Sequence, residues 1–112
     1  IPKLNYRSYA CGLGACALYA VAETDEEKLE VYTFALSETS DEFEGNNPLC
    51  SLSSAAAGAG DAAFCKTILD NMQKEQKFNA LRAQASLEDD QYTEGYELYL
   101  QTIELLEEAA NE

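Results

Sequence analysis

Residues 86–110 read SLEDDQYTEGYELYLQTIELLEEAA, and the spacing of their apolar positions decides the fold class. Tyr92, Tyr96, Tyr99, Ile103, Leu106 and Ala110 recur every three or four residues, which lines one face of an α-helix. Leu100 and Leu105 widen that stripe. Ser86 followed by Asp89 has the form of a capping box, and Glu88, Asp89 and Asp90 put negative charge where a helix N-terminus favours it. A helix over 87–110 is expected. Gly95 costs about 1 kcal/mol inside a helix relative to alanine, which predicts a close approach by another part of the chain. The three tyrosines of the stripe are read as core or interface, because tyrosine joins a large apolar area to a polar tip.

Moving upstream, Asn47-Pro48 places a proline at a first helical position. Leu49, Leu52, Ala56 and Ala59 then keep helical spacing. Gly58-Ala59-Gly60 interrupts the run and Asp61 is placed to cap another helix. Helices over 48–57 and 61–82 follow, the second with Phe64, Cys65, Ile68, Leu69 and Met72 on one face. Thr24 and Glu27 make a capping box for an acidic helix over 25–38. The β-rich run Val31-Tyr32-Thr33-Phe34 has no second strand to pair with, so helix is preferred there. Residues 39–47, rich in Ser, Asp, Glu, Gly and Asn, are expected to form the main loop.

The first segment is a small-residue helix over 8–22. Its rival is a leftover targeting segment with Ala20-Val21-Ala22 as the cleavage site. The apolar run from Tyr9 to Ala22 is too short to span a bilayer, which needs about 20 residues. The expected architecture is all-α: one domain of 112 residues, a single antiparallel (up-down) bundle of four or five helices.

Four cysteines, Cys11, Cys16, Cys50 and Cys65, suggest a disulfide framework and an oxidising compartment. The compartments that fit are an organelle lumen of the thylakoid type, a periplasm or the extracellular space. If 8–22 is helical, Cys11 and Cys16 diverge by about 140° around the axis. They are therefore expected to pair with Cys50 and Cys65, in an order left open, each staple contributing about 2–4 kcal/mol. The spacings lack the paired C-x2-C knuckles of a four-thiolate zinc site.

Seven Lys plus Arg against 21 Asp plus Glu leave a net charge of −14, which argues against nucleic acid as a partner. Residues 23–48 hold nine acids and one base, Lys28; residues 83–112 hold nine acids and no base. Residues 49–82 hold Lys66, Lys74, Lys77 and Arg82 against Asp61, Asp70 and Glu75. Antiparallel neighbours would then set opposite charges side by side. With no histidine, imidazole catalysis and histidine-ligated metals are out. The acid clusters at 25–27, 41–44 and 88–90 lack the alternate spacing of an EF-hand loop. Gly12-x-Gly14 and Gly58-x-Gly60 lack the continuation of a phosphate loop. No catalytic residue, metal site or cofactor is expected, and an enzyme is not the expected class.

The expected role is docking. A small helical protein with charge laid down in blocks is steered onto a larger assembly by complementary charge. Lys66, Lys74, Lys77 and Arg82 would face an acidic partner, or Glu88, Asp89, Asp90 and the other acids a basic one. Peripheral association with a membrane complex fits this role. In size and class the chain is similar to the extrinsic helix-bundle subunits of photosystem II, a likeness with no shared motif behind it. The alternative is a secreted carrier or effector with an apolar cavity for a small ligand, whose usual six-cysteine frameworks this chain lacks.

Overall fold

A computed structural model describes residues 6–45, 47–84 and 90–111. Six α-helices and no strand are present among them: α1 Tyr6–Val21, α2 Asp25–Ser37, α3 Pro48–Gly58, α4 Ala62–Lys74, α5 Asn79–Gln84 and α6 Asp90–Ala110. A 3-10 turn, Gln76–Phe78, joins α4 to α5. Helix α1 packs mainly on α3, and α6 packs on α4 and α3. The core between them is built from Leu49, Leu52, Ile68, Met72, Tyr99 and Leu106, with Phe43 and Phe78 closing one part of it.

Local chemistry sets most of the helix starts. Thr24 accepts from the Glu27 amide while the Glu27 carboxylate accepts from the Thr24 amide, so both halves of the capping box are made. Asn47 caps α3 by accepting from the Cys50 amide at 2.9 Å, and Pro48 follows it. Asp61 caps α4 through the Phe64 amide at 3.2 Å. The capping box at Ser86 lies outside the described residues.

The single helix expected over 61–82 is broken. Glu75 is extended, with φ −73° and ψ 119°, and its carbonyl accepts from Arg82 Nη2 at 2.7 Å. A carbonyl held by a guanidinium is not free to carry the helix onward. The segment therefore divides into α4, the 3-10 turn and α5, which takes the helix number beyond the four or five expected.

The disulfide staples are not formed. Cys11, Cys16, Cys50 and Cys65 are all free thiols, because each faces a different neighbour. Cys11 donates to Glu38 Oε2 at 3.7 Å, and Cys16 donates to the Ser51 carbonyl at 3.4 Å. Cys50 turns instead toward α6, 3.3 Å from the Thr102 hydroxyl, and accepts from Asn47 Nδ2. Cys65 is buried in the core.

The loop over 39–47 is pinned into the structure. Phe43 takes the left-handed region at φ 55° and is fully buried. Its ring meets Phe78 and Tyr99 edge-on, with centroids 5.3 and 5.6 Å apart. Thr39 is buried as well, donating to the Ala35 carbonyl at 2.8 Å and accepting from the Leu49 amide. The approach expected at Gly95 is present. A β-carbon there would collide with the backbone carbonyl of Glu42, so α6 carries glycine where this loop rests on it.

Candidate docking surface

Three helices meet at Asp61. Gly60, at φ 70°, turns the chain out of α3 so that Asp61 stands at the start of α4. Its Oδ1 takes the Phe64 amide, leaving Oδ2 to accept from Lys28 Nζ on α2 at 2.7 Å and from the Tyr19 hydroxyl on α1 at 2.8 Å. The Tyr19 ring stacks on Phe64 at 5.3 Å, and the Lys28 ammonium sits 5.8 Å from the centre of the Tyr19 ring. Burial pushes the Asp61 carboxyl up, but bonds from Lys28, Tyr19 and the Phe64 amide outweigh it and hold it below its ordinary value. The bond to Asp61 raises Lys28, while burial and Asp61 together raise the Tyr19 phenol. This ion pair reverses the pattern expected from the charge blocks. The lone base of the acidic block meets an acid of the basic block.

Beside Asp61, α2 and α4 enclose an open cleft of about 350 Å³ lined by Asp25, Glu26, Lys28, Leu29, Phe64 and Thr67. Its floor is apolar, with Leu29 44% exposed. A neighbouring hollow on α2 shares Glu26 and Leu29 and adds Glu30 and Thr33. Asp25, Glu26 and Glu30 are exposed along this rim. The cation at the cleft, Lys28, is already paired with Asp61, so the rim stays anionic.

The residues expected to dock are not brought together as one basic patch. Lys77 donates to the Leu36 carbonyl at 2.7 Å and so closes the C-terminal end of α2. Arg82 holds Glu75, the Asn79 side chain and the Tyr99 hydroxyl, and lies over the Tyr99 ring. Both are committed to the fold. Lys66 and Lys74 are exposed. Glu88 and Asp89 lie outside the described residues, and Asp90 is described only as the first residue of α6. The acid-rimmed cleft was missed in the sequence, although Leu29 amid Asp25, Glu26, Glu27 and Glu30 was a visible signal.

Burial raises the thiols of Cys16, Cys50 and Cys65, outweighing the hydrogen bonds from Thr102 and Asn47 in the case of Cys50 and joined by Asp61 in that of Cys65. They are protonated at neutral pH and poor nucleophiles. Among the described residues no group of three or more Cys, Asp or Glu is placed to hold a metal ion, and no helix is long and apolar enough to cross a membrane. Comparison with known proteins finds no family model, no curated protein and no solved structure that matches the chain.

Proposed function

We propose that the protein is a non-enzymatic accessory subunit that docks electrostatically on a larger assembly, in the manner of an extrinsic subunit of a lumenal membrane complex. The observation that carries this reading is the α2–α4 cleft, an apolar floor around Leu29 and Phe64 with Asp25, Glu26 and Glu30 on its rim. A basic segment bearing an apolar side chain complements that surface. The acids steer the approach, and burial of the apolar group over Leu29 holds the complex. The up-down antiparallel packing of neighbouring helices belongs to this reading, since short connections favour it. A basic partner is preferred over an acidic one because Lys77 and Arg82 are occupied within the fold. The lumenal setting rests on the even cysteine number alone, and four free thiols add nothing to it. The clefts described are open at the surface, which favours a macromolecular partner over a small enclosed ligand.

The test is co-fractionation of the protein with its native membranes or extract. The expected result is retention in a large complex at low salt and release at about 1 M salt, where screening acts within about 3 Å. Reversal of the rim, Asp25→Lys with Glu26→Lys, is expected to abolish retention, and Lys66→Glu with Lys74→Glu to leave it intact. Loss of retention only in the lysine variants would show that the basic side docks instead. A free small species at both salt concentrations would sink the docking reading.

A further inference from the structure

Helix α1 is chemically split along its length. At about 100° per residue, Gly12, Ala15, Cys16 and Tyr19 fall on one half of its circumference, and these are the residues that meet the rest of the fold. Gly12 lies against Ser51, Ala15 is fully buried, Cys16 reaches the Ser51 carbonyl, and Tyr19 reaches Asp61. The other half faces outward and holds no charged residue from 9 to 21. Tyr9, Leu13, Leu18 and Val21 are 49, 56, 48 and 70% exposed there. Five of the six large apolar side chains exposed among the described residues lie on α1 or α2, four of them on this half-helix. A contiguous apolar face of this kind marks an association surface.

We propose that this face pairs with the same face of a second copy, α1 against α1 in antiparallel orientation about a two-fold axis. Charge singles out that occupant. The face itself carries none, so a strongly charged partner gains nothing from it. An anionic lipid surface is repelled by a chain of net charge −14 with Glu23, Asp25, Glu26 and Glu27 just beyond the end of α1. A second copy is uncharged where the face is uncharged. Its charges also become complementary at the ends when the helices run antiparallel, because the sequence has Arg7 in the first turn of α1 and Glu23 beyond its last.

Size and charge select one register. An axis passing by Ala15 sets Leu13 of each copy over Ala17 of the other and Tyr9 against Val21, a bulky residue facing a smaller one each time. The same register sets the turn bearing Arg7 beside Glu23 of the other copy. A two-fold interface repeats each pairing, so every match counts twice. This surface is separate from the α2–α4 cleft, and either can fail without the other.

Sedimentation equilibrium on the whole chain tests the proposal. At about 100 μM the wild type is expected at twice the chain mass. Leu13→Glu, which places a charge on an exposed position of this face, is expected at the single mass with an unchanged helical circular-dichroism spectrum. Arg7→Glu and Glu23→Arg are each expected to weaken the dimer several-fold, and the double reversal to restore it, which only the antiparallel register allows. A monomeric wild type overturns the proposal, including one that instead sediments with vesicles of zwitterionic lipid. A dimer indifferent to Leu13→Glu overturns it too, as does a double reversal that fails to restore association.

Discussion

Asp61 and Phe43 each tie three parts of the chain together, and they do so with opposite chemistry. At Asp61 one carboxylate gathers α1, α2 and α4 through Tyr19, Lys28 and the Phe64 amide, near the surface. At Phe43 one ring, carried by a loop, is wedged between Phe78 of the 3-10 turn and Tyr99 of α6 with no exposure at all. The first depends on ionisation and is screened by water and salt. The second depends on shape and on area removed from water, which neither pH nor moderate salt alters. A backbone conformation unusual for a phenylalanine is sustained there because packing over-determines it.

The largest effect should come from Phe43→Ala. Removing a fully buried ring is expected to cost about 3–5 kcal/mol, measured by urea denaturation, with the same loss at pH 5 and pH 8. A loss that varied with pH would mean that the ring also serves a charged group. Next comes Gly95→Ala. The added methyl must displace the Glu42 backbone, at a cost of about 1–3 kcal/mol for an overpacked site. Gly14→Ala is its control: nothing lies within 4 Å of that position, and the substitution should stabilise α1 by up to about 1 kcal/mol.

Asp61→Ala should cost less, about 1–2 kcal/mol, chiefly the loss of the α4 cap, and its cost should depend on pH. The folded Asp61 is held below its ordinary value. Its contribution is therefore complete above about pH 4 and is lost as the pH falls through the lowered value. Lys28 and Tyr19 are held above theirs, so their contributions are complete below about pH 10 and are lost as the pH rises further. The gap between wild type and variant should be widest between these limits and shrink below pH 4. A gap constant down to pH 2 would mean that ionisation plays no part. The smallest effect is that of a reductant. With four free thiols, dithiothreitol should leave Tm unchanged, and a fall of several degrees would reveal a disulfide.

The same contrast explains what could be read from the sequence. The tie at Asp61 begins with local rules: a glycine-rich break, then an acid at a cap position. Thr24 with Glu27 and Asn47 with Pro48 were legible for the same reason, since a cap is satisfied within a few residues. Gly95 was legible as a helix residue with a cost to explain. Phe43 was not, because it sits among Asp41, Glu42, Glu44 and Gly45, a composition that argues for a solvated loop. Its burial is decided by Phe78 and Tyr99, far away in the chain. The break at Glu75 was hidden as well: Lys74, Glu75, Gln76 and Lys77 are all good helix formers, and the interruption comes from Arg82. That one guanidinium also removed a candidate docking residue from the surface. In the cleft, the acids were visible singly, but it is the meeting of α2 with α4 that makes them a rim.

The contact between the loop and α6 runs through main-chain atoms, the Glu42 carbonyl against the α-carbon of Gly95. The constraint it imposes falls unequally on the two positions. A saturation library would register it as intolerance to every side chain at 95, while residue 42 meets α6 there with the peptide group that any amino acid supplies. A glycine kept inside a long helix, with nothing in its own helix to require it, is the trace such a loop leaves in a sequence.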